Sequence, residues 1–393
     1  MSESFISTTQ RYLQELQLLA SAMALVAAFA GIIVYLLWRK TGIPRQLVGK
    51  EQVVKVPWDW LEVFIAILLL MFILESVASS IPWGKHKLPN EAYMGFQVGA
   101  AASAANMAWD QGLSGGFLSA VGAIAAAPKE LDRQIEESRS RMLYMIILFP
   151  LALLVLFNVF PKLCGARFYQ MGLHMNRWRE NITLGSVVWL IVTPLCNIIL
   201  LIVLLSFWET LWGRQEEHPF ASLLKHDVRL STWLLVGFMA CVIAPLREEI
   251  LVRGIIQPYL IRFPLISDVI MIMSIIFAFS QMMTPGSGPD RGMGLGPLLF
   301  IAVMAPGYYL FEKWLEPWIK EPGAARGIFA TSLLFAAMHF SAWPQPIPLF
   351  ILSLALGLLA YRTRSLIGPI TVHFLFNLTT MIMMVLKVYP TFK

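Results

Sequence analysis

The chain repeatedly runs for about 20 residues with almost no charge, and that pattern dictates what it can fold into. The first run, Leu18 to Trp38, contains no Asp, Glu, Lys or Arg. Others cover Trp60 to Ile81, Met142 to Phe160 and Thr183 to Phe207, then Thr232 to about Leu246. Five more follow: Ile266 to Met283, Leu295 to Phe311, Gly327 to Phe340, Pro348 to Tyr361 and Leu366 to Met384. A helix of that length crosses a hydrocarbon layer of about 30 Å while satisfying its own backbone hydrogen bonds. The expected fold class is all-α, a polytopic transmembrane helical bundle of about eight to ten spans.

Composition agrees. Charged residues make up 14% of the 393 residues and hydrophobic ones 58%. Soluble domains carry about 25% charged residues. The formal charge of +6 does not suggest nucleic acid, because the basic residues fall in short clusters between apolar runs. Clusters at 39–55, 162–179, 247–262, 313–326 and 362–364 all face the cytoplasm if the N-terminus is outside. Arg39, Lys40 and Arg45 follow the first run, which reads as a retained span rather than a cleaved signal. The three cysteines show neither disulfide nor zinc spacing. Between the second and third runs lie a stretch rich in small residues and the charged segment "KELDRQIEESRSR". The expectation there is a non-spanning insert with an amphipathic surface helix, a span through the alanine-rich part being the alternative.

Charge inside apolar helices is costly and so informative. "APLREEILVRG" places Glu248 and Glu249 in such a setting. Glu249 and Arg253 are four residues apart, the favourable order for a helical ion pair. Glu248 has Val252 in the equivalent place, so it lacks that partner and is poised as a base. "LLFAAMHF" puts Phe335 and His339 on one helix face, and "ITVHFLFN" does the same for His373 and Asn377. Of the six histidines, only His339 and His373 sit in the middle of apolar runs. Such groups, gathered in one pocket, suit water activation and oxyanion stabilisation, and they suit a metal site equally. Taken singly, each could be a packing ion pair or an interhelical hydrogen bond.

Taken together, Glu248–Arg253 fits EExxxR, Phe335–His339 fits FxxxH and His373–Asn377 fits HxxxN. In that order they resemble the motifs of the CPBP family, the CAAX prenyl proteases and bacteriocin-processing enzymes, also called Abi. The flanks "EEILVRGIIQPYL" and "LALGLLAYRTRSLIGPITVHFLFN" are similar to that family's too. The resemblance implies an intramembrane endopeptidase acting on membrane-associated or lipidated peptides or proteins. Glu248 and His339 would activate water, and His373 and Asn377 would hold the oxyanion. Glu249 and Arg253 would support the site. Metal-free chemistry is favoured; a zinc ion, if used, would take Glu248, His339 and His373. The expected site lies nearer the cytoplasmic side. An inactive family-like scaffold or immunity protein, and a proton-coupled transporter, are the alternative readings; against the transporter, no repeated halves are visible.

The resemblance divides the chain into an N-terminal membrane region, 1–160, and a protease core, 173–386, with an inserted segment at about 264–326. The first 140 or so residues are additions to that core. The insert contains "SIIFAFSQ" (Ser274 to Gln281), which echoes "SLLFAAMH" (Ser332 to His339) with Gln281 in the place of the histidine. Glutamine cannot act as a base, so the role falls to His339.

Overall fold

A computed structural model describes residues 56–73, 114–205, 223–224, 227, 229–283, 296–315, 318–319, 321, 323–339 and 345–388. Among these the regular structure is entirely helical. The predicted span at Leu18 to Trp38 and the "PGSGPDRGMG" connection lie outside the described residues.

Helix α1 begins with Trp60–Ile67, where Asp59 and Glu62 form a capping box. Helix α2 is Ser114–Cys164. It differs from expectation: the charged segment lies within the same helix that enters the membrane, with a spanning stretch at Arg133–Cys164. Helix α3 is Trp178–Leu205. Helix α4 covers residues 230–262 without a break, roughly 50 Å at about 1.5 Å per residue. Then come α5 (Pro264–Met283), α6 (Gly296–Leu315), α7 (Ala324–Met338), α8 (Pro346–Thr363) and α9 (Ile367–Val388).

Four described stretches are long and apolar enough to cross a membrane: Arg133–Cys164, Trp178–Leu200, Pro346–Thr363 and Ile367–Val385. Their outward sides carry exposed large apolar residues such as Ile147, Leu154 and Ile191, as a lipid-facing surface requires. The protein is an integral membrane helical bundle.

Helices α3, α4, α7, α8 and α9 pack around one another, and α5 lies against α7. Small residues allow the close approaches. At the α3–α9 crossing, a Cβ on Gly185 would sit 2.7 Å from the carbonyl oxygen of Gly368. The residues just ahead of α1 are not peripheral. Trp58 is fully buried, meets Phe160 edge-on with centroids 5.4 Å apart, and donates from its indole to the Ile255 carbonyl at 3.1 Å.

Helix α4 departs from α geometry twice, through wide π-turns at Met239–Ile243 and Glu249–Ile256. Each is followed, after one intervening residue, by a proline. The Ala244 amide reaches back to Met239, and Pro245 follows; the Gln257 amide reaches back to Val252, and Pro258 follows. A proline has no amide hydrogen to give, and a π-turn absorbs the mismatch by taking in one extra residue. The two turns flank Glu248 and carry Glu249 and Arg253, which fixes where those side chains point.

Candidate active site

Glu249 is completely buried, and it has two partners. Its Oε1 accepts from Arg253 Nη1 at 3.0 Å, the ion pair expected from the spacing. The same oxygen lies 2.9 Å from His373 Nδ1, on α9. The Arg253 guanidinium lies over the Phe335 ring at 4.8 Å and reaches α8, donating from Nη2 to Ser353 Oγ at 2.5 Å. A charge held so far from water needs all these contacts.

Glu248 is set differently. Its Oε2 stands 3.8 Å from His373 Nε2, and its Oε1 stands 3.7 Å from Arg247 Nη2. These are charge contacts rather than hydrogen bonds. One histidine ring therefore sits between two carboxylates, bonded to Glu249 and facing Glu248.

The other two sequence-predicted residues approach from neighbouring helices. His339 caps the C-terminus of α7 and is half-buried. A carbonyl can only accept, so its Nδ1, 2.8 Å from the Phe335 carbonyl oxygen, carries the proton. In a neutral ring Nε2 is then free to accept. The Phe335 ring joins the two histidines, with centroids 4.8 Å from His339 and 5.8 Å from His373. Asn377 lies one turn beyond His373 on α9, and its amide donates to the Ala240 carbonyl at 2.7 Å. That carbonyl is one the first π-turn deprives of its usual helical donor. One N–H of Asn377 is thus engaged and one remains.

The structure therefore joins Glu248, Glu249, Arg253 and His373 in one chain of contacts, and it sets His339 beside them across Phe335. Asn377 is tied to α4 a turn away. Sequence reading missed Ser353, which looks like any serine in an apolar helix. It also missed the histidine bond to Glu249, for which helical spacing carries no signal. The "SIIFAFSQ" echo differs from its counterpart in burial. Phe277 is 46% exposed on the outer face of α5, whereas Phe335 is fully buried.

A metal fits these residues poorly. Among the described residues no three His, Cys, Asp or Glu side chains gather as ligands, and a zinc site normally has at least three from the protein. The Nδ1 atoms of both histidines are already given to other partners.

A family profile described as type II CAAX prenyl endopeptidase Rce1-like matches residues 230–311 and 308–379. The match is to the Rce1-like family. It bears out the resemblance read from the three motifs, and both pieces together span less than half of the chain. The first Rce1-like piece takes in Glu248–Arg253 and the echo; the second takes in Phe335–His339 and His373–Asn377. No curated protein and no solved structure matches the chain. The Rce1-like match supports, at the level of the family, a CAAX-type endopeptidase working in a membrane.

Proposed function

We propose that the protein is an intramembrane endopeptidase that hydrolyses a peptide bond of a membrane-associated or lipidated peptide or protein. The observation that carries this reading is the His373 ring held between Glu248 and Glu249 in the Rce1-like region. Glu248 takes a proton from the attacking water, and His339 orients that water through its accepting Nε2. His373 and the remaining N–H of Asn377 face the oxyanion of the tetrahedral intermediate. His373 already gives its Nδ1 proton to Glu249, so donation from Nε2 requires the doubly protonated ring. Glu249 and Arg253 hold the ring in place.

The basic residues Arg177, Arg262, Arg326 and Arg362 belong to one end of the bundle, joined there by contacts such as Leu366 N to the Gly172 carbonyl at 3.0 Å. By helical rise, His373, Ser353 and Glu249 lie about 10–20 Å in from that end. The positive-inside rule turns that end toward the cytoplasm, so the substrate enters from within the membrane or its cytoplasmic side.

The test is cleavage of a farnesylated CaaX peptide, and of the same peptide without the lipid, by protein purified into nanodiscs. Mass spectrometry of the products reads the bond cut. Cleavage by the native protein and not by Glu248→Gln is expected. Equal cleavage by both would remove the proposed base, and no cleavage of either peptide would leave the endopeptidase reading without support.

A further inference from the structure

We infer that Ser353 is a positioning residue for this site, acting through Arg253 and Glu249 on the imidazole of His373. The inference deepens the endopeptidase reading and rests on it for its catalytic consequence.

Ser353 lies in the apolar run "FILSLALG" of α8 and is fully buried. Arg253 Nη2 donates to its hydroxyl oxygen at 2.5 Å and to its carbonyl oxygen at 3.3 Å. One turn further, Gln257 Nε2 donates to the Gly357 carbonyl at 2.9 Å. The pairs 253–353 and 257–357 advance together, so α4 and α8 run side by side, parallel and in register. The register leaves no slack. A Cβ on Gly357 would lie 2.9 Å from Gln257 Oε1 and 3.1 Å from Ile328 Cγ2.

Arg253 is thus fixed from both ends of its fork. Nη1 holds Glu249 and Nη2 holds Ser353, while Phe335 covers the face. A planar guanidinium cannot satisfy two fixed partners in more than one orientation. Glu249 depends on that orientation, because Oε1 takes both Arg253 and His373 while Oε2 is buried without a hydrogen-bond partner. Nothing else described holds the carboxylate plane. The sequence Ser353, Arg253, Glu249, His373 therefore transmits the position of α8 to the ring that faces Glu248.

The hydroxyl is not needed merely to satisfy Arg253. The Ser353 carbonyl would still accept from Nη2 if the side chain were removed. What the hydroxyl adds is a short second contact that sets direction. The charged and titratable groups around His373 are Glu248, Glu249 and Arg253 of α4, Arg247 beside Glu248, and His339 of α7 across Phe335.

The experiment follows the His373 ring by nitrogen NMR of imidazole-labelled full-length protein in detergent micelles, assigned through His373→Gln. Cleavage of the farnesylated peptide is measured on the same samples. Ser353→Ala is expected to stay folded, to move the His373 titration midpoint, and to lower kcat by roughly tenfold or more with KM little changed. Ser353→Thr, which keeps the hydroxyl, should restore both. Gln257→Leu, which cuts the neighbouring rung, should lower Tm and leave the His373 midpoint in place. A folded Ser353→Ala protein with native midpoint and native kcat overturns the inference. If Ser353→Ala does not fold, Ser353→Cys replaces it, being of similar size and a weak acceptor; a native His373 midpoint there overturns the inference equally. If the native protein cleaves no peptide, the endopeptidase reading fails, and the titration alone still decides whether Ser353 positions His373.

Discussion

His373 Nδ1 and Glu249 Oε1 are 2.9 Å apart although 124 positions separate them in the chain. The contact ties α9 to the π-turned segment of α4. Arg253 bonds the same oxygen, so Glu249 serves two partners and its removal is felt at both.

The two adjacent glutamates should therefore fail in different ways. Glu249→Gln leaves Arg253 without a charge partner in a buried place, at a cost of about 3–5 kcal/mol, and it releases His373 as well. Glu248→Gln keeps shape and has no close hydrogen bond to lose, so it should stay folded while cleavage falls by about 10²–10⁴-fold. Thermal unfolding in detergent beside a cleavage assay checks this. Equal loss of Tm in both variants would end the division of roles.

Asn377→Ala has two expected effects. It strands the Ala240 carbonyl, costing about 1–3 kcal/mol of stability. It also removes an oxyanion donor, which is worth roughly 10²–10³ in kcat. A Tm loss with unchanged kcat would make Asn377 a purely structural clasp on the first π-turn.

Gly185→Ala tests the α3–α9 crossing. Its Cβ would meet the Gly368 carbonyl oxygen at 2.7 Å. Backbone cannot move aside as a side chain can, so overpacking of about 1–3 kcal/mol is expected. The measurement is Tm in detergent, and an unchanged Tm would mean that the two helices cross less tightly.

Asp227, outside the spanning stretches, clamps the entry to α4. It accepts from Arg229 Nε at 2.8 Å, from Nη2 at 2.7 Å and from the Thr232 hydroxyl at 2.6 Å. The Arg229 hydrogen bonds lower its pKa to about 2. A depressed carboxylate stabilises the fold above its unfolded pKa, near 3.9, and the stabilisation is lost as pH falls toward about 2. Native protein should lose stability across that window more steeply than Asp227→Asn. Parallel acid-unfolding curves for the two proteins would refute it.

Chelation offers a fifth test. With no three ligands gathered among the described residues, cleavage should survive treatment with a strong zinc chelator. Loss of activity on chelation and its return with stoichiometric zinc would make the histidines ligands instead.

Much of the bundle was legible because lipid imposes long apolar runs, and the motif residues stood out as charge within them. The Glu249–Arg253 pair followed from spacing alone, since both belong to one helix. What lay across helices did not. Neither Ser353 nor the partner of His373 could be found without knowing that α4 packs against both α8 and α9. The continuity of α2 was missed for another reason. Hydropathy changes abruptly at the charged segment, yet Ala, Glu, Lys and Arg are good helix formers, so the backbone runs on where the surface changes character. The π-turns left only faint marks, Pro245 and Pro258, which sequence patterns read as ordinary interruptions.

Those turns make the site sensitive to counting. The first one takes an extra residue into α4 before the glutamates, while Asp227 and Thr232 fix the start of the helix and Asn377 grips it at Ala240. Deleting one residue from the regular α-turns of Leu230–Phe238 would turn everything after it by about 100°, with no functional group touched. Glu249 would then swing away from His373. The two carboxylates are aimed by the length of chain ahead of them, so in this helix an insertion or deletion is a change of chemistry.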